Sequence, residues 1–192
     1  LINKFGMDIF SHAFWTAVAA KTANSKIKYF KKGKPISVIW SAIWGIAPDV
    51  FAFAPIFISA AFVFLLGTGD MSVFQIPHPS DMEPTSGNGL FIFKLTRTLY
   101  SISHSAVIFA VVFALVSMIL SRVRLEMLGW LLHILIDIPT HSYKFYPTPV
   151  LWPIAGWKFD GISWGTPWFM AINISAIILV SLFYLIKRKK KV

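Results

Sequence analysis

The chain has 192 residues, 56% of them hydrophobic and 14% charged, with a net charge of +10. Soluble domains carry about 25% charged residues, so these proportions exclude an ordinary soluble globule, and the richness in Phe, Ile, Leu and Val excludes disorder. The absence of Cys excludes disulfides, thiolate metal sites and a cysteine nucleophile.

The mean hydropathy of +0.68 directs attention to membrane spans. Crossing a bilayer core of about 30 Å takes about 20 apolar helical residues. The first residue is Leu, and Met7 opens a stretch that would make a sensible N-terminus. A first, short apolar segment runs from about residue 8 to 20 and carries His12, with Asp8 placed to cap it. Residues 21–35 are basic and read as a cytoplasmic loop. Residues 36–66 are apolar but interrupted by Pro48 and Pro55, which fits a broken or tilted helix. Residues 68–90 hold Asp70, Asp81 and Glu83 without Lys or Arg and read as an outer loop; His78 there reads as a surface residue. A third span is expected over residues 95–120. A fourth should run over 127–138 and stop before Pro139. Residues 139–161 form a second outer segment, and a last span covers 162–186.

The expected fold is thus all-α: one membrane-embedded domain over residues 1–192, a polytopic integral membrane helical bundle. About five segments are expected, one or two of them short or broken. The N-terminus is expected outside and the C-terminus in the cytoplasm. Thirteen of the eighteen basic residues fall on the proposed cytoplasmic side. Trp40, Trp44 and Trp130 lie near the inner boundary, and Trp152, Trp157, Trp164 and Trp168 near the outer one. The basic clusters at 21–34 and 187–191 abut apolar runs, which points to topology and anionic lipid contact, with no nucleic acid as partner.

Six ionisable residues fall in or beside these segments: His12, Asp49, His104, His133, Asp137 and His141. A charged side chain at a helix centre costs about 2.5–3.5 kcal/mol on insertion scales, so such residues mark function by default. At about 1.5 Å of rise per residue, His12, Asp49, His104 and Asp137 fall about 13–25 Å from the cytoplasmic boundary and can meet in the outer half. His133 lies somewhat lower, one turn from Asp137. His133, Asp137 and His141 form H-x-x-x-D-x-x-x-H, which puts all three near one helix face. Pro139 makes His141 a loop residue that would have to fold back. Each residue also has a plainer reading: a single His as a hydrogen-bonded packing residue, Asp49 as the cap of a new helix. Together they point to one shared metal site, with Asp8 placed to support His12 from behind.

Met7-Asp8-Ile9-Phe10-Ser11-His12-Ala13, Pro48-Asp49, Ser103-His104-Ser105 and His133-x-x-x-Asp137, followed by Pro139-Thr140-His141 and Leu151-Trp152-Pro153, resemble in order the motifs of YdjM-like membrane-bound metal-dependent hydrolases. The H-x-x-x-D element is also remotely similar to bacterial zinc-dependent phospholipase C. The chain departs from the family pattern twice. Phe51 stands where a second Asp is common, and Leu99-Tyr100-Ser101 stand where H-R-G is common. Arg97 and His141 are candidate replacements for the missing Arg and ligand.

The resemblance implies a metal-dependent hydrolase in an inner (plasma) membrane. Its cofactor would be one or two divalent ions, Zn first and Mn or Fe next, held by the six residues above. Asp49, His133 and Asp137 would carry the chemistry, Ser105 would stand behind the ligands, and Arg97, Lys144 and Lys158 would hold an anionic head group. The expected partners are membrane lipid and a small amphiphilic phosphoester. Transport of ions or protons, or a purely structural metal, are the alternatives. Ser105 beside His104 is a local spacing and not a serine-hydrolase triad.

Overall fold

The structure, a computed structural model, describes residues 2–27, 29–30, 33–67, 91–143 and 146–189, with side chains from Ile9 to Lys187. The outer loop at 68–90, Lys144 and the side chain of Asp8 therefore lie outside the described residues. The regular elements among them are helical: α1 (Ile2–Lys26), α2 (Val38–Leu66), α3 (Phe91–Ser103), α4 (Ala106–Ile119), a 3-10 turn (Leu125–Met127), α5 (Leu128–Thr140) and α6 (Pro167–Lys189).

The first helix is longer than expected. Asp8 lies inside it and not at its start, so it is no cap. The second begins after Ser37, whose hydroxyl accepts the Trp40 N–H, and ends at Gly67 in the left-handed region with φ 62°. It runs through both Pro48 and Pro55, so Asp49 sits mid-helix and caps nothing. The expected third span is not continuous. α3 and α4 are bent by 64° at His104 and Ser105. Ser105 caps α4, accepting the Ile108 N–H at 3.2 Å and donating to the Trp152 carbonyl. The Ala106 N–H donates to Val150 O at 2.9 Å, so the segment after α5 is tied into the break and satisfies groups that it frees.

α5 ends two residues beyond the expected stop. Pro139 lies in its last turn, and the helix closes with the His141 N–H on the Asp137 carbonyl at 3.0 Å. The last carbonyls of α5 are then taken by the following loop: Ile162 N–H to Pro139 O at 2.9 Å, Trp164 N–H to Thr140 O at 2.9 Å and Gly161 N–H to His141 O at 2.8 Å.

The bundle inverts the usual soluble arrangement. Phe64, Leu65 and Ile119 are more than 70% exposed, while His104, His133 and Asp137 are fully buried. Apolar residues outside and ionisable residues inside suit a lipid surround. Among the described residues two helices, Val38–Leu66 and Pro167–Lys187, are long and apolar enough to cross a membrane, and the bent α3–α4 pair would make a third. At thirteen residues, α5 is about 20 Å long, short of the bilayer core. Two apolar clusters flank the buried polar centre. One joins Ala52, Phe53, Ile56, Phe93, Tyr100 and Tyr146; the other joins Phe109, Met127, Trp130 and Ile134.

Candidate metal centre

Four helices bring the polar residues together because small residues let them approach. A Cβ on Gly45 of α2 would collide with the Thr16 side chain of α1, and one on Gly129 of α5 would collide with the Ser41 carbonyl of α2. Thr16 turns its hydroxyl inward to the His12 carbonyl at 2.7 Å. The bend after α3 lowers His104 to the level of α5. His133 is therefore no outlier in depth. Its Nε2 lies 3.0 Å from His104 Nε2, at the middle of the cluster.

The tautomers follow from the backbone. His133 Nδ1 faces the Gly45 carbonyl at 2.7 Å. A carbonyl only accepts, so Nδ1 carries the proton and Nε2 keeps its lone pair. His104 Nδ1 lies 3.2 Å from the Tyr100 carbonyl and 2.9 Å from Ser103 Oγ, so its Nε2 is likewise an acceptor. The Tyr100 ring stacks on His104 at 3.7 Å between centroids.

Two imidazole lone pairs thus face each other, and carboxylates close the ring around them. Asp137 Oδ2 lies 3.2 Å from His133 Nε2 and 3.3 Å from His104 Nε2. Asp49 Oδ1 lies 3.3 Å from His104 Nε2 and 3.7 Å from His133 Nε2. The other oxygen of Asp137 faces His12 Nε2 at 3.0 Å and His141 Nδ1 at 3.6 Å. His141 has folded back as anticipated. All six sequence-predicted ligands belong to one buried cluster.

The donor set fits a divalent ion. His104, His133 and Asp137, and likewise His12, Asp49 and His133, each offer ligand atoms within 4.8 Å of one another. Ligand atoms about 2.0–2.1 Å from a tetrahedral Zn²⁺ stand about 3.3–3.4 Å apart, close to the separations around Asp137 Oδ2. Neither oxygen of Asp137 has a hydrogen-bond donor aligned with it among the described residues, and a buried carboxylate left so is costly. Imidazole and carboxylate suit Zn, Fe and Mn.

Arg97 and Lys158 belong to neither group of ligand atoms. Arg97 is exposed on α3, seven residues and about 10 Å along the axis before His104. Lys158 is half-buried in the loop before α6, where its carbonyl accepts the Tyr143 hydroxyl at 3.0 Å. Ser105 holds the α3–α4 bend, placing its neighbour His104. Sequence reasoning missed Gly45, Tyr100 and Ser103, which orient the two central imidazoles. Tyr100 lies one turn before His104, the only hint the sequence offered.

A family model described as YdjM inner membrane protein matches residues 7–192. No curated protein and no solved structure matches the chain.

Proposed function

The chain belongs to the YdjM inner membrane protein family, and from that membrane setting we propose that it is a metal-dependent hydrolase acting on a phosphoester-bearing amphiphile. The observation that carries the proposal is the approach of the His104 and His133 Nε2 atoms to 3.0 Å of each other among carboxylate oxygens. A bound cation relieves that arrangement, as does a proton shared between the two rings. His104, His133, Asp137 and Asp49 would hold it, with His12 and His141 on the far oxygen of Asp137. A divalent ion bound there supplies Lewis acidity towards a phosphoryl oxygen and acidifies water.

The protein's own groups set the rest. The Gly45 and Tyr100 carbonyls hold the imidazoles in the ligating tautomer. Asp137 spans the two halves of the cluster with its two oxygens. His12 contacts Asp137 and also lines a cavity, so it is the imidazole placed to pass a proton to a leaving oxygen. Arg97, Lys144 and Lys158 are proposed to meet the head group, and membrane lipid is the expected partner. The proposed orientation keeps five membrane segments, with the N-terminus outside and the C-terminus inside.

The full burial of His104, His133 and Asp137 favours a second reading, a closed structural ion. Elemental analysis of detergent-purified protein, beside Asp137→Asn and His133→Ala, is the first test. One or two equivalents of Zn, Mn or Fe in the parent and a loss in the variants support the centre. No metal after reconstitution overturns it. Release of a water-soluble head-group product from phospholipid vesicles, lost in Asp137→Asn while the protein still inserts, separates the hydrolase from a structural ion.

A further inference from the structure

We infer that the cavity between α1, α5 and α6 receives the hydrocarbon chain of an amphiphile whose polar head reaches the metal centre at His12. The inference rests on the hydrolase reading for the head group's fate, but not for the binding of the chain. The cavity has a volume of about 520 Å³, within the range of small-molecule sites.

Its position follows from the helical period. Leu132, Ile136 and Thr140 line the cavity, while His133, Asp137 and His141 face the donor cluster. Each member of the first set precedes one of the second by a single residue, a rotation of about 100° on the helix. α5 therefore carries the cavity wall and the ligand row as adjacent stripes. On α1, His12 belongs to both: it lines the cavity and lies 3.0 Å from Asp137.

The remaining walls are apolar, with Val18, Phe169, Ile172 and Ala176 among them. α6 forms the outer side, and none of its membrane-length apolar window is buried, so lipid is what lies beyond it. Hydrogen bonds hold α6 to α1 along the cavity: Trp15 Nε1 to Asn173 Oδ1 at 2.9 Å, and Asn173 Nδ2 to Ser11 Oγ at 2.7 Å. Polar pins at this seam leave the apolar space between the helices open to a chain. Beside Thr140 stands Trp164, 7% exposed, whose buried indole N–H has no acceptor among the described residues. A phosphate or ester oxygen near His12 would supply one.

The experiment uses the full chain in phosphatidylcholine nanodiscs with a long-chain alkyl phosphate bearing a mid-chain diazirine. After photolysis, labelled residues are mapped by mass spectrometry and bound metal is measured on the same sample. Label should concentrate on residues 15–19 and 169–176, several-fold above the lipid-facing end of α2. Ala176→Phe should cut it several-fold with metal content unchanged. Ala19→Phe, filling the cavity from the opposite helix, serves if the first variant does not fold. Even labelling of all lipid-facing helices, or label unchanged in the folded filler, overturns the inference. Asp137→Asn separates the two readings: cavity label retained with metal lost keeps both. Cavity label in a parent that binds no metal overturns the hydrolase alone, and metal with even label overturns the cavity alone.

Discussion

Each central imidazole is held from behind by main chain, and this sets what single substitutions should do. Partners that orient a metal ligand typically account for 10–100-fold in affinity. Ser103→Ala should therefore weaken metal binding about tenfold by competitive chelator titration, with the ion count unchanged. An unaltered affinity would show that Tyr100 alone orients His104. Phe51 gives the opposite expectation. The second Asp common in the family would stand at its position, yet Phe51 is 50% exposed and turned away from the donors. Phe51→Ala should leave metal content at the parental value; a loss would place residue 51 at the centre. The six clustered residues were legible in the sequence because His and Asp are conspicuous in apolar helices. The Gly45 and Tyr100 carbonyls were not, since every residue has a carbonyl and only packing selects which one turns outward.

At the scale of elements, the site depends on two approaches and one bend. The contact of α5 with α2 needs Gly129, so Gly129→Ala should destabilise the fold by about 1–3 kcal/mol, the usual cost of overpacking. Thermal unfolding in detergent would show it, and an unchanged midpoint would contradict the close approach. The bend depends on Ser105, and loss of such a cap costs about 1 kcal/mol. Ser105→Ala should also lower metal affinity, because His104 is the residue before it. Helix positions followed well from apolar runs, except at this bend and at the end of α5. Apolar composition continues straight through His104 and Ser105, so only the loop bonded into the gap reveals the break. Pro139 misled because a proline in a last turn forfeits one hydrogen bond without ending the helix.

For the whole molecule, the membrane setting follows from the family and from the inverted distribution of polar and apolar residues. The number of crossings rests on α1, the least apolar of the helices, and on α5, which at thirteen residues is short of the bilayer core. A reporter fused after Val192 should be cytoplasmic, and one placed in residues 21–35 should be on the same side. Signals on opposite sides would leave an odd number of crossings between the two points and remove α5 from the crossing segments; both signals outside would reverse the topology. This was the part least legible beforehand, because a short helix packed against partners and a short spanning helix share one hydropathy pattern.

The cluster draws on residues as far apart as His12 and His141, contributed by helices made early and late in synthesis. While the chain is growing, Asp49 must enter the bilayer before α5 exists to face it. Isolated charge at a helix centre carries its penalty of about 2.5–3.5 kcal/mol until then. An ion held by the proposed centre would accordingly be captured only after α5 has docked. A chain that stalls before residue 104 lacks both imidazoles that stand nearest Asp49 and presents an uncompensated carboxylate within lipid, the kind of defect by which membrane quality control can tell an unfinished protein from a finished one.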